Sequence, residues 1–466
     1  MSDYDCLDPE KPTIPISSSQ TGPNIVYVFA DQWRLQALGY AGNPDVKTPN
    51  IDRLAAESVN LTHAVAGSAV CCPSRASLLT GQYPLTHGVF VNDVHLGNGA
   101  TGLGEAFKRA GYDTAYIGKW HVDGRARSAY IPPDSRQGFD YWKALECTHD
   151  YNHSFYYAGD SDEKLLWEGY DAIAQTRDAQ TYIRNHAGDK PFLLMLSWGP
   201  PHAPYRTAPP EYQELYRSQT IQVRPNVPES SASEAKEWLA GYYAHCTALD
   251  ACLGELWQTL KETDHEENTI FIFTSDHGDM LGSHGMDKKQ KPWEESIRIP
   301  FLLHYPALFG RSAQALGAVL DIPDIMPTLL GLCDLSIPES VEGLDYSGYL
   351  QGGVDPSDGA ALLACYHPFG QWLPADGGRE YRGLRTSRYT YVRALDGPWL
   401  LYDNETEPYQ LSNLVHRPEY AELRDMLDAW LQTKLDEQED TFLSGLDYID
   451  QWGYPIDETG TVPWVW

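Results

Sequence analysis

The chain has 466 residues, 42% of them hydrophobic and 12% aromatic, which suffices for a large domain with a smaller one and excludes a fibre or a disordered tail. Its formal net charge of -31 argues against nucleic acid and anionic membrane surfaces as partners, and an anionic substrate would need a locally positive pocket. No apolar run reaches the length of a membrane span.

Residues 1–22 lack a basic n-region and an apolar h-region and read as a flexible N-terminal arm rather than a secretory signal. Eight cysteines lie scattered along the chain, with only Cys71 and Cys72 adjacent. That pattern suits reduced thiols in a cytoplasmic protein, or a periplasmic or secreted one if a signal has been removed. Asn24 to Ala30 (NIVYVFA) is a continuous apolar run and predicts a buried parallel strand ending at Asp31-Gln32. Thr48 to Leu54 then opens a short helix, with Asn50 as its expected N-cap.

The next stretch, Cys71 to Gly81, reads CCPSRASLLTG. Pro73 suits the first turn of a helix, which puts Cys71 at a helix N-terminus, where free N–H groups and Arg75 favour an anion. Taken alone, the cysteine pair suits equally a buried structural pair, half of a disulfide set or a redox thiol.

A helix is expected near Leu103 to Arg109 and a strand over Thr114 to Ile117 that runs into Gly118-Lys119-Trp120-His121. Pro191 to Trp198 (PFLLMLSW) predicts a strand ending near His202, and Thr269 to Thr274 (TIFIFT) one that delivers Ser275-Asp276-His277-Gly278-Asp279. Four apolar strands thus end in residues able to hold metal or move protons, as expected at one edge of an open α/β sheet. Ser231 and Glu234 predict a capping box ahead of a long amphipathic helix on which Cys246 and Cys252 pack. Short aromatic strands over Ala360 to Tyr366, Arg382 to Thr386, Tyr389 to Ala394 and Trp399 to Asp403 predict a small antiparallel sheet. A helix over about Glu419 to Leu435 and an aromatic tail with Trp452, Trp464 and Trp466 follow.

The run C-x-P-S-R, continued by an apolar pair and Thr-Gly, resembles the signature of type I, formylglycine-dependent sulfatases of the alkaline phosphatase superfamily. In that family the first cysteine, here Cys71, is converted to formylglycine by a formylglycine-generating enzyme. The resemblance runs from Asn24 to about Val415. It implies an alkaline-phosphatase-like fold: a doubly wound, mostly parallel α/β sheet flanked by helices over 23–345, and a smaller C-terminal antiparallel sheet plus helix over 346–466. The family's metal ligands fall on Asp31, the modified Cys71, Asp276 and His277, with Gln32 as a fifth. Oxygen ligands favour Ca²⁺, and the imidazole admits Mn²⁺. Arg75 matches the arginine that holds the formylglycine hydrate, Lys119 and His121 the GKWH pair, and His202 the histidine of PHxPY. Lys289, four residues before Trp293, matches a sulfate-contacting lysine, which leaves Lys288 and Lys291 as expected surface charges.

The function so implied is hydrolysis of a sulfate monoester, a sulfated saccharide or other small ester, to alcohol and sulfate. A hydroxyl of the hydrated formylglycine attacks sulfur, His202 with Lys289 protonates the leaving alcohol, and His121 then takes the proton whose loss expels sulfate. Gln32 and His277 resemble choline sulfatases and phosphonate monoester hydrolases, so a phosphonate monoester or phosphodiester hydrolase on the same site is the alternative. A non-catalytic sulfoglycan-binding protein is the remote one, should Cys71 stay unmodified. His153, Tyr151 and Trp372 are expected near the pocket, and Cys72 as a small packing residue.

Overall fold

In the computed structural model Asn24–Asp31 (β1) is buried along its whole length, as its unbroken apolar run predicts. Its alternate side chains enter two different cores. Ile25, Tyr27 and Phe29 pack with Cys72, Leu78 and Leu79 on one face, and Val26, Val28 and Ala30 with Tyr242, Cys246 and Leu249 on the other.

The structure describes residues 22–186, 188 and 190–465. The expected N-terminal arm, but for Gly22, and Trp466 lie outside the described residues, as does Cys6. Among these residues, nine further strands join β1: Val59–Val65 (β2), Asp113–Lys119 (β3), Tyr141–Leu145 (β4), Phe155–Ala158 (β5), Leu165–Leu166 (β6), Phe192–Pro201 (β7), Thr269–Ser275 (β8), Phe301–His304 (β9) and Gln314–Asp321 (β10). The sheet order is β10-β2-β9-β8-β1-β7-β3-β4-β5-β6. The four strands read from the sequence, β8, β1, β7 and β3, are consecutive and parallel, so their C-terminal ends share one edge. β9 runs antiparallel between β8 and β2.

Two expected caps do not form. The helix Pro49–Ala56 starts one residue before Asn50, and its first N–H groups are capped from elsewhere: Asn50 N and Ile51 N donate to the Asp250 carboxylate at 3.2 and 2.7 Å. The long helix, Glu229–Glu262, begins after Pro228, and Ser231 N already donates to the Pro228 carbonyl inside its first turn. A capping box at Ser231 is therefore one turn too late. Asp250 stands on this same long helix, so one element covers the sheet and caps its neighbour.

Ala360–Cys365 (β11), Tyr381–Thr386 (β12), Tyr389–Ala394 (β13) and Gly397–Asp403 (β14) form the antiparallel sheet, in that order. Leu427, Leu431 and Leu435 of the helix Ala421–Glu437 pack against its Leu384, Tyr391 and Leu401. The aromatic tail is partly helical, over Gly445–Trp452, behind a Ser444 cap whose hydroxyl accepts from Asp447 N. Among the described residues seven cysteines are free and buried, and no helix is long and apolar enough to cross a membrane.

Candidate active site

Helix Cys71–Thr80 begins on Cys71, as the placement of Pro73 requires, and all of its residues are buried. Gly81 closes it with a φ of 66°, a conformation that a residue lacking Cβ adopts without strain. Ser74 Oγ donates to the Asp276 carbonyl and so joins this helix start to the end of β8.

Donor atoms of Asp31, Cys71, Asp276 and His277 all lie within 4.8 Å of one another, and all four residues are buried. Position 71 is a cysteine whose Sγ stands where a hydroxyl oxygen of a formylglycine hydrate would be bonded to Cβ. Its neighbours are Lys289 Nζ at 3.0 Å, His277 Nε2 at 3.2 Å and the Asp31 carboxylate at 3.7 Å. Burial and Asp31 oppose ionisation of the thiol, but Lys119, Lys289 and His277 outweigh them and bring its pKa well below the usual thiol value. Asp31 is likewise held ionised against burial, chiefly by Lys119, whose Nζ donates to Oδ2.

Gln32 supplies the test for a metal. Its backbone has a φ of 70°, its N–H donates to Asp276 Oδ1 at 3.0 Å, and its side-chain Nε2 donates to Asp279 Oδ2 at 2.6 Å. The amide orientation is thereby set, and Oε1 is left buried with no hydrogen-bond partner. An orphaned buried acceptor beside two carboxylates and an imidazole fits a divalent cation. His277 Nδ1 is engaged by the Gly278 carbonyl at 3.0 Å, which leaves Nε2 for the centre.

Arg75 reaches the same cluster in a different way from that expected. Its Nε donates to Asp276 Oδ2 at 3.0 Å and its guanidinium also to the Lys119 carbonyl and Ser197 Oγ, at 2.9 and 2.8 Å. It braces Asp276 and the end of β3, while Cys71 Sγ takes its nearest contacts from Lys289 and His277.

His202 is buried, its Nδ1 held at 2.7 Å from the Ala203 carbonyl, and it stacks on His149 with ring centres 4.7 Å apart. Burial, with Lys289 and despite Asp31, keeps its pKa well below the ordinary histidine value. His121 is the opposite case. Burial disfavours its imidazolium, but the Cys147 and Cys72 sulfurs and Asp93 outweigh it and raise the pKa well above the usual value. Lys288 is partly exposed beside Asp287, as a surface charge should be. Lys291 is not: it is 2% exposed, donates to the Asp287 and Lys289 carbonyls, and burial brings its pKa to about 8. The expectation of a surface charge fails there because Trp372 lies under its ammonium at 5.5 Å.

Tyr151 is buried and donates to the His202 carbonyl, whereas His153 is solvent-exposed beside Asp150. Cys72 is buried in the core and accepts from Asp93 N. Asp279, Asp93, Cys147 and His149 carry parts of the site that sequence reasoning left unassigned. Only Asp279 had a signal there, its place in Ser275-Asp276-His277-Gly278-Asp279.

A buried cluster of two carboxylates, a cysteine and an imidazole at the carboxyl edge of a mostly parallel sheet is the arrangement of a hydrolase of the alkaline phosphatase superfamily. The chain belongs to the sulfatase family: the model described as Sulfatase matches residues 23–335. A second, N-sulphoglucosamine sulphohydrolase, C-terminal, matches 282–438. The chain is 45% identical to an ulvan-active sulfatase of Formosa agariphila, over 96% of this chain and 88% of that one. It is 32% identical to an endo-4-O-sulfatase of Bacteroides thetaiotaomicron, over 89% and 94% respectively. A solved structure from glycosaminoglycan metabolism by Bacteroides thetaiotaomicron superposes with a TM-score of 0.82 at 31% identity, covering 90% of this chain and 97% of that one. The protein is therefore a sulfuric ester hydrolase, of a family that generally uses a metal ion and formylglycine.

Proposed function

We propose that the protein removes sulfate from a sulfated saccharide, with Cys71 converted to formylglycine and Ca²⁺ held by Asp31, Gln32, Asp276, His277 and position 71. The observation that carries this reading is the convergence on one buried atom, Cys71 Sγ, of Lys289, His277 and Asp31, with Lys119 and Arg75 directly behind. The metal would supply positive charge against the sulfate oxygens, and the formylglycine hydrate a nucleophilic hydroxyl. Ca²⁺ is preferred because most of the donors are hard oxygens.

The chain's own residues account for the remaining needs. Arg75, Lys119 and Lys289 set three cationic side chains against the carboxylates of Asp31 and Asp276. An unmodified, ionised Cys71 would cancel that excess, and its conversion to formylglycine removes the negative charge. A locally positive, buried cluster inside a chain of formal charge -31 suits an anionic sulfate ester. His202 begins neutral, and an anion bound beside it raises its pKa, so that it and Lys289 can hand a proton to the departing alcohol oxygen. His121 is assigned the proton released at position 71: its raised pKa keeps the ring charged at rest, so it gives up that proton before each turnover, and Asp93 beside it stabilises the imidazolium that then re-forms.

The saccharide class is supported by the relatives, which act on ulvan and as an endo-4-O-sulfatase. Peptide mass spectrometry across Cys71 of active protein, with inorganic sulfate release measured over a panel of sulfated saccharides, tests both parts. An intact thiol at full activity would sink the formylglycine assignment. Faster turnover of phenyl phosphonate than of aryl sulfate would favour the phosphonate alternative suggested by Gln32 and His277.

A further inference from the structure

The aromatic tail takes no part in the chemistry proposed for the site, yet its end reaches a neighbour of the proposed base. Val462 is buried in the main core, and Thr461 Oγ1 and the Gly460 carbonyl bond to Gly370 N and His367 Nε2 of the small subdomain. Beyond that anchor the chain crosses to the large domain. There Arg127 N donates to the Val465 carbonyl at 2.8 Å, and the Arg127 guanidinium lies 4.1 Å from the centre of the Trp464 ring. The same guanidinium grips Asp93 with both arms, Nε to Oδ1 at 3.0 Å and a terminal nitrogen to Oδ2 at 2.8 Å. Asp93 Oδ1 in turn stands 3.5 Å from His121 Nε2.

We infer that the C-terminal segment positions the base of the reaction: Trp464 and Val465 hold Arg127, Arg127 holds Asp93, and Asp93 orients the His121 imidazole. The inference rests on the reading of His121 as the base. Among the described residues neither His121 ring nitrogen makes a well-formed hydrogen bond, so the ring is held by this ion pair together with the Cys72 and Cys147 thiols beside it. An ion pair at 3.5 Å is lost by a small drift of either member, and a bidentate clamp on the carboxylate is the device that prevents drift. A cation over an aromatic face is attracted to it, which favours the one Arg127 rotamer that also reaches Asp93. The other groups facing His121 are Cys72, Cys147, Lys119 and Glu146. Trp464, Arg127 and Asp93 are positioning residues, since none of them is placed on the reacting atoms.

The test is Trp464→Ala in the full-length, formylglycine-bearing chain, with Trp464→Phe as the conservative control. On an aryl sulfate, Trp464→Ala should lower kcat about tenfold with KM nearly unchanged, a part of what a well-placed base contributes, and Trp464→Phe should restore most of it. In the protein without substrate, the His121 imidazole resonance, assigned by its loss in His121→Gln, should titrate at lower pH in Trp464→Ala, because Asp93 no longer favours the charged ring. An unchanged kcat and an unchanged His121 titration in Trp464→Ala would overturn the inference, even if its Tm fell. A rise in KM alone would overturn it too, because it would make Trp464 a substrate contact. The titration needs no turnover, so it still reads the coupling if the protein fails on every sulfate ester.

Discussion

Lys289 Nζ lies 3.0 Å from Cys71 Sγ although 218 residues separate them. The contact depends on a loop whose next residue is fastened at four points. Gln290 has a φ of 72°, its N–H donates to the Ala69 carbonyl, its carbonyl accepts from Tyr381 Oη, and its amide exchanges hydrogen bonds with both Phe369 N and Phe369 O. The small subdomain therefore fixes the lysine, and Ala69 ties it to the approach to Cys71. Lys289→Ala should lower kcat by about 10²–10³-fold, the usual loss when one charge-stabilising donor is removed. Gln290→Ala leaves Lys289 in the chain but releases its loop and should lower kcat and Tm together. Steady-state kinetics and a thermal melt check both variants.

Removal of Asp279 should act on the metal rather than on folding. Its Oδ2 accepts from Gln32 Nε2 at 2.6 Å and from Tyr205 Oη at 2.6 Å, and the first of these fixes the Gln32 amide with its oxygen buried and without a hydrogen-bond partner, free for a metal. Asp279→Asn should weaken Ca²⁺ binding by about 10–100-fold, as losses of ligand-orienting partners do. Calorimetric titration of Ca²⁺ into the chelator-treated chain measures this, and equal affinities would remove Gln32 from the ligand set.

Much of this arrangement is legible because strand-end chemistry travels with the strand. NIVYVFA, PFLLMLSW and TIFIFT are apolar on both faces, and Asp31, His202 and Asp276 follow each at the sheet edge. The strands that escaped are those whose pattern is diluted: β2 carries Asn60, Thr62 and His63, and the first half of β10 is partly exposed. Caps supplied from a distance leave no local trace. Asp250 caps a helix 200 residues away, and no window around Asn50 contains that information. Lys291 is the same failure in electrostatic form, since a lysine among lysines reads as surface until Trp372 is seen beneath it.

The small sheet is locked to the site by a buried ion pair. Arg385 on β12 donates to both oxygens of Glu294, at 2.6 and 3.0 Å, and Arg298 binds the same carboxylate at 2.9 Å. Burial opposes the charge on Glu294, but Arg385 and Arg298 outweigh it and bring its pKa down to about 2. Arg385→Met should destabilise by about 3–5 kcal/mol, because it leaves a buried charge half compensated. With the folded pKa depressed, the pair's contribution is present above the unfolded value of about 4.3 and is lost as pH falls toward about 2. Urea denaturation at pH 7 and pH 3 should therefore show a smaller gap between Arg385→Met and wild type at the lower pH.

Asp321 and Asp324 titrate the other way. The Asp321 carboxylate accepts from Gly67 N and Ile322 N, at 2.8 and 2.7 Å, and Asp324 accepts from Asp321 N and Leu344 N, both at 2.8 Å. Both are buried side by side with no cation in direct contact among the described residues. Burial and their mutual repulsion raise Asp321 to about 7, and burial raises Asp324 to about 6. A carboxyl whose folded pKa exceeds its unfolded value of about 3.9 binds more protons in the folded state between the two, so stability falls as pH rises through that window. The loss should be on the order of 2–4 kcal/mol for each of the two carboxyls between about pH 4 and pH 8, because each tenfold rise in proton affinity on folding is worth about 1.4 kcal/mol. Asp321→Asn keeps an oxygen for the Gly67 and Ile322 N–H groups, and its amide nitrogen can face the cavity lined by Ser68, Ser74 and Tyr83. That variant should be more stable than wild type at pH 8 and little different at pH 5. Site carboxylates titrate identically in both proteins and cancel in the difference. A stability difference independent of pH would show that the Asp321 carboxyl is not protonated in the folded protein.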